Sequence, residues 1–212
     1  MLGCDGVPVA TGPFRITAAP PRAVRRSPRA RPLRHWDDAD DVLVMLTEAI
    51  RLTVFPAVMA FAALSDLFTM TIANRVSLVL VGGFVLLAAL GGMSAADVLS
   101  HAAAAACVLV VTFGLFACGW IGGGDAKLAA AAVLWIGFAH LAEYLLYASL
   151  LGGALTLLLL QFRALPLPRM LVGRQWAERL HRRGGGVPYG TALAAAALVI
   201  YPQTEWMTAL GL

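Results

Sequence analysis

The chain is expected to be an all-α, polytopic membrane protein with six transmembrane helices, and three observations predict it. Hydrophobic residues make up 60% of the 212 positions and charged residues only 13%. Mean hydropathy is +0.79, far above that of a soluble domain. Six apolar segments then follow Met45, at about 46–65, 76–92, 97–120, 127–141, 143–162 and 187–205, to be set against the roughly 20 residues that a spanning helix needs.

Residues 1–44 differ from everything after them. Pro and Arg dominate from Ala19 to Arg34, an acidic cluster follows at Asp37, Asp38, Asp40 and Asp41, and no apolar periodicity runs through either. Such a composition cannot bury enough surface to fold alone, and with no continuous apolar core before Val42 it does not read as a secretory signal. Residues 1–44 are therefore expected to be a disordered extension, or upstream sequence before a true start at Met45. Residues 45–212 form the membrane domain.

The first apolar segment carries Glu48 and Arg51 near its start, spaced to share a helix face at the interface. Pro56 lies inside it, and membrane helices tolerate such a proline when neighbours re-satisfy the backbone. The fourth segment is short, so residues 127–162 could also form one broken span. Charge decides between the two counts. With six spans, Arg75, Lys127 and the arginines at 163, 169, 174, 179, 182 and 183 share one side. The opposite loops, around Gly91–Asp97, Ala139–Glu143 and Pro202–Leu212, contain no Lys or Arg. The positive-inside rule makes the basic side cytoplasmic. The seven arginines from Arg15 to Arg34 then fall outside, which argues against the tail belonging to the mature protein.

This order gives a chemical result. Asp66 closes the first span and Asp125 opens the fourth, so both sit at cytoplasmic helix ends at similar depth. A charge in an apolar setting costs roughly 2.5–3.5 kcal/mol, which makes such residues functional candidates. Two carboxylates that meet cannot both ionise and hold one proton as a unit. The charged member can take a proton from an attacking water while its protonated partner donates to a peptide carbonyl oxygen. That is aspartyl proteolysis without a metal or cofactor. Gly122, Gly123 and Gly124 precede Asp125, and their bare backbone would let the chain turn and an extended substrate come close; alternatively they form only an inter-span loop. The run has no Gly-Lys-Ser/Thr, so it is not a phosphate-binding loop.

Gly122-Gly123-Gly124-Asp125 fits the Gly-x-Gly-Asp signature of intramembrane aspartyl proteases. The run GGGDAKLAAAAVLWIG from Gly122 to Gly137 resembles the corresponding segment of bacterial prepilin peptidases. In SDLFTMTIANRVSL, the residues Asp66, Ile72 and Asn74 fit that family's first-aspartate pattern, and VPYGTALAAAALV from Val187 resembles the start of its final span. Ala73 stands where the family commonly has Pro, and Leu67 to Thr71 lack the basic residues often found there. The resemblance, over about residues 46–202, implies a multi-pass aspartyl endopeptidase of the bacterial inner membrane. Its partners would be the lipid bilayer and a prepilin, whose short basic leader it removes on the cytoplasmic side. It has no counterpart of the cysteine-rich domain tied to N-methylation. It therefore resembles the short form serving Flp-type, tight-adherence pili, with no methyltransferase activity expected.

Other residues carry less. Lys127 either biases the aspartates and binds substrate or anchors a helix end at the interface. Asn74 either caps the second span or bonds near the aspartates. His101 and His140 are expected to pack rather than bind metal, and no metal site is expected. Cys4, Cys107 and Cys118 form no CxxC, and the latter two are expected in the core. Trp120, Trp135, Trp176 and Trp206 suit an aromatic belt. The paired glycines at 82–83, 91–92 and 152–153 suit close helix packing. The basic loop around Arg182 fixes topology or touches anionic lipid. Basic residues without interleaved aromatics exclude nucleic acid as a partner. The competing reading is a small proton-coupled transporter or channel subunit with the Asp pair as relay; a third is an inactive partner of a secretion machine.

Overall fold

A computed structural model describes residues 37–208. Within them lie eight α-helices and no strand: α1 (Asp37–Thr69), α2 (Asn74–Leu90), α3 (Ala95–Ala117), α4 (Gly123–Ile136), α5 (Leu141–Ala164), α6 (Gln175–His181), α7 (Tyr189–Ile200) and α8 (Glu205–Thr208). Short 3-10 turns at Arg169–Leu171 and Tyr201–Gln203 join the later ones. All six apolar segments contain a helix. The arginine-rich tail and Cys4 lie outside the described residues.

Three helices are long and apolar enough to cross a membrane: Met45–Thr69 within α1, α3 and α5. α2 is a shorter apolar helix of 17 residues. α4 and α7 have only 14 and 12 residues, rises of about 21 and 18 Å against a hydrocarbon core of about 30 Å. These two are the inner helices. α4 is buried at nearly every position from Ala126 to Ile136, packed on α3, α2 and α7, while α7 lies against α1, α4 and α5. Both are rich in alanine, which lets neighbouring backbones approach from all sides.

The expected boundary at residue 45 falls inside α1, which already begins at Asp37. No Pro or Gly stands between Asp37 and Pro56, so nothing stops the apolar helix from continuing upstream.

Two expectations are corrected. Trp135 and Trp206 are not belt residues: both are buried. Trp135 Nε1 donates to Leu80 O at 2.9 Å and Trp206 Nε1 to Trp135 O at 2.8 Å, which meets the polar demand of each indole. Phe55, Phe84 and Tyr201 complete this aromatic cluster, with Phe55 stacked on Tyr201. Cys107 and Cys118 are exposed rather than in the core, because α3 turns most of its surface outward. His101 does pack: its Nδ1 lies 2.8 Å from Leu134 O and its ring rests on Phe84. His140 instead pairs with Glu143 at 3.1 Å. Of the paired glycines, Gly83 meets Trp135 and Gly152 meets Tyr189, whereas Gly82 and Gly153 face open space.

Candidate active site

Asp66 occupies the last turn of α1. The helix stops just beyond it because Met70 takes a left-handed conformation, φ 54°, which costs a non-glycine residue roughly 1 kcal/mol or more. A hydroxyl cluster holds that stop in place. Thr69 Oγ1 donates to Ser65 O at 2.7 Å, and Ser65 Oγ donates to Thr71 O at 3.1 Å. The return strand of chain brings Ile72 back beside Asp66 and starts α2 at Asn74.

Asp125 occupies the first turn of α4, with Gly122 as the N-cap. The glycines work by size, not by unusual dihedrals. Gly122 has φ −74°, open to any residue, and Gly123 and Gly124 are the first helical residues. A Cβ on Gly124 would stand 3.2 Å from Ile72 Cβ, one on Gly123 3.2 Å from the Phe116 ring, and one on Gly122 3.0 Å from Asp125 Oδ2. Bare backbone here lets α4 begin directly against the α1–α2 turn, which carries Asp125 to Asp66.

The third wall is the start of α7. The amide of Thr191 donates to Asp66 Oδ2 at 3.0 Å, its hydroxyl donates to Ala63 O at 3.1 Å, and the amide of Gly190 faces both carboxylates. These are amides of a helix's first turn, where the helix dipole favours an anion; that of Thr191 also reaches Pro188 O at 3.2 Å. A Cβ on Gly190 would lie 2.9 Å from Asp66 Oδ2 and 3.1 Å from Asp125 Oδ1, and in contact with Ile72 Cδ1. The two oxygens are therefore at most 6.0 Å apart, the sum of those distances. Asp66 is 4% exposed and Asp125 half-buried. Together with Met70, Thr71, the glycines and Val187 they line a cavity of about 410 Å³. Among the described residues no group of three or more His, Cys, Asp or Glu gathers as a metal-binding set.

The family model described as the type IV leader peptidase family matches residues 53–157, a stretch that takes in both aspartates. The chain belongs to the type IV leader peptidase family. It is thus an aspartic-type prepilin peptidase. No curated protein and no solved structure matches it.

In this leader peptidase the residues singled out from the sequence fall into two groups. Asp66, Asp125, Gly122 and Gly124 surround the cavity. Asn74 and Lys127 instead meet each other: Lys127 Nζ donates to Asn74 Oδ1 at 3.0 Å and so bridges α4 to α2. Asn74 does not cap α2, whose N-cap is Ala73 with no side-chain bond. Both are exposed side chains on the rim. The reading from sequence missed Gly190 and Thr191. Their signal was present, a Pro188-Tyr189-Gly190 start to an apolar helix, but a backbone amide donor has no residue type of its own.

Proposed function

We propose that this leader peptidase removes the short basic leader of Flp-type prepilins on the cytoplasmic side of the bacterial inner membrane, with Asp66 and Asp125 as its catalytic dyad. In this proposal α1, α2, α3, α4, α5 and α7 are the six spans, and the arginines after α5 lie inside. The observation that carries the reading is that both carboxylates line one cavity with their nearest oxygens at most 6.0 Å apart, close enough for one water to reach both.

A water in the cavity between the two carboxylates is held by both acids. One carboxylate accepts its proton as the oxygen attacks the scissile carbonyl carbon; the other donates its proton to the carbonyl oxygen. The resulting diol collapses as the C–N bond breaks, the amine takes the proton gained from water, and the diol returns a proton to the dyad. The amides of Gly190 and Thr191 orient Asp66 throughout, and the small residues 122–124 leave room for an extended substrate backbone. Gly122 and Gly124 thus shape the site, and the Lys127–Asn74 bridge supports it from the rim.

Co-expression with a candidate prepilin tests this. Asp66→Asn and Asp125→Asn should each leave the pilin at precursor length while the peptidase remains in the membrane. Normal processing by either variant removes that residue from the dyad. A proton relay forecasts a different result, namely normal pilin length with loss of pH-driven flux in vesicles.

A further inference from the structure

The basic loop after α5 does more than carry charge. Arg163, in the last turn of α5, spends its whole guanidinium on backbone. Nε donates to Leu180 O at 2.7 Å, Nη1 to Gly185 O at 2.9 Å and Nη2 to Gly186 O at 2.8 Å. Leu180 O is among the last carbonyls of α6, which have no partner within the helix. One planar fork therefore joins the ends of α5 and α6 to the chain that leads into α7. Gly185 fits closely here: a Cβ would stand 3.3 Å from Arg163 Nη2 and 3.1 Å from Arg182 O, so its neighbours would have to give.

That chain leads straight to the aspartates. Gly186 and Val187 line their cavity, Pro188 is the N-cap of α7, and Thr191 donates its amide to Asp66. Only four residues separate the carbonyl that Arg163 holds from the amide that holds Asp66. The other arginines of the loop make no such set of bonds among those found in the described residues. Arg163 and the carbonyls it holds lie beyond residue 157, outside the segment matched by the family model.

We infer that Arg163 is a positioning residue for the peptidase reaction, fixing the start of α7 so that its amides hold Asp66 in register with Asp125. The inference rests on the dyad reading above. Lys keeps the charge that orders topology but is a compact point donor that cannot reproduce a three-bond fork.

Two measurements test it, both on the full-length protein in detergent. In cleavage of a purified prepilin, Arg163→Lys and Arg163→Ala should lower kcat by roughly tenfold to a hundredfold. Added guanidinium ion should restore much of the loss in Arg163→Ala, whereas ammonium should not. Hydrogen exchange needs no substrate: amides 185–191 should exchange faster in both variants than in wild type, with α3 unchanged. Wild-type kcat in Arg163→Lys, no rescue by guanidinium, or unchanged exchange at 185–191 would each overturn the inference. If wild type itself leaves the prepilin intact the dyad reading has failed, and the exchange result still decides what Arg163 holds.

Discussion

The two ends of the bundle are built on opposite plans. At the end formed by Trp135, Trp206, Phe55, Phe84 and Tyr201, large rings fill the core, and each indole N–H and the Tyr201 hydroxyl finds a carbonyl; Tyr201 donates to Arg51 O at 2.7 Å. At the aspartate end the wall residues are glycines, the chain turns through a left-handed methionine, and a cavity of about 410 Å³ remains. The same short helices, α4 and α7, run between the two. Packing at one end fixes their positions, so that space can be left at the other without collapse. Close packing and an open cavity are separated along one pair of helices.

The sharpest break of this contrast is at the carboxylates. Asp125→Asn should lower cleavage by roughly a thousandfold or more while thermal stability in detergent stays near wild type. A large loss of stability would mean that the acid is a structural group. Next comes Trp135→Ala, which removes a fully buried ring and its bond to Leu80 O. It should destabilise by about 3–5 kcal/mol, read from a denaturation midpoint, with kcat of the surviving folded protein little altered. Gly190→Ala tests the space itself. A methyl between the two acids should slow cleavage roughly tenfold to a hundredfold, whereas Gly153→Ala, which faces open space, should cleave normally. The smallest effect belongs to the rim bridge. Lys127→Met and Asn74→Ala should each slow cleavage by less than about tenfold, and the double variant should be no slower than the worse single one, because one bond joins them.

What could be read from the sequence follows the same division. The apolar runs, the two aspartates and the small residues before Asp125 were legible, because each is a matter of residue type at a spacing. The aromatic end was misread. A tryptophan at the end of an apolar run looks the same whether it meets headgroups or a neighbouring helix, and only tertiary packing put Trp135 against Leu80. The bond that Asn74 makes in place of a cap was not legible either, since its partner Lys127 comes 53 residues later and lies on another helix. The helix length was overstated for the sixth segment, where the 3-10 turn at Tyr201 ends α7; the fourth, expected to be short, ends earlier than residue 141 because Gly137, with positive φ, stops α4 inside apolar sequence.

The bond from Thr191 to Asp66 comes from the main chain, and this has an evolutionary corollary. Exchange of one side chain for another at position 191 leaves that N–H in place, so the seat of the acid survives drift that would erase a serine or an asparagine donor. Only an imino acid deletes it, and proline fits sterically in the opening turn of a helix. Thr191→Pro is thus a one-residue change that removes this donor while leaving every acidic group in the molecule intact.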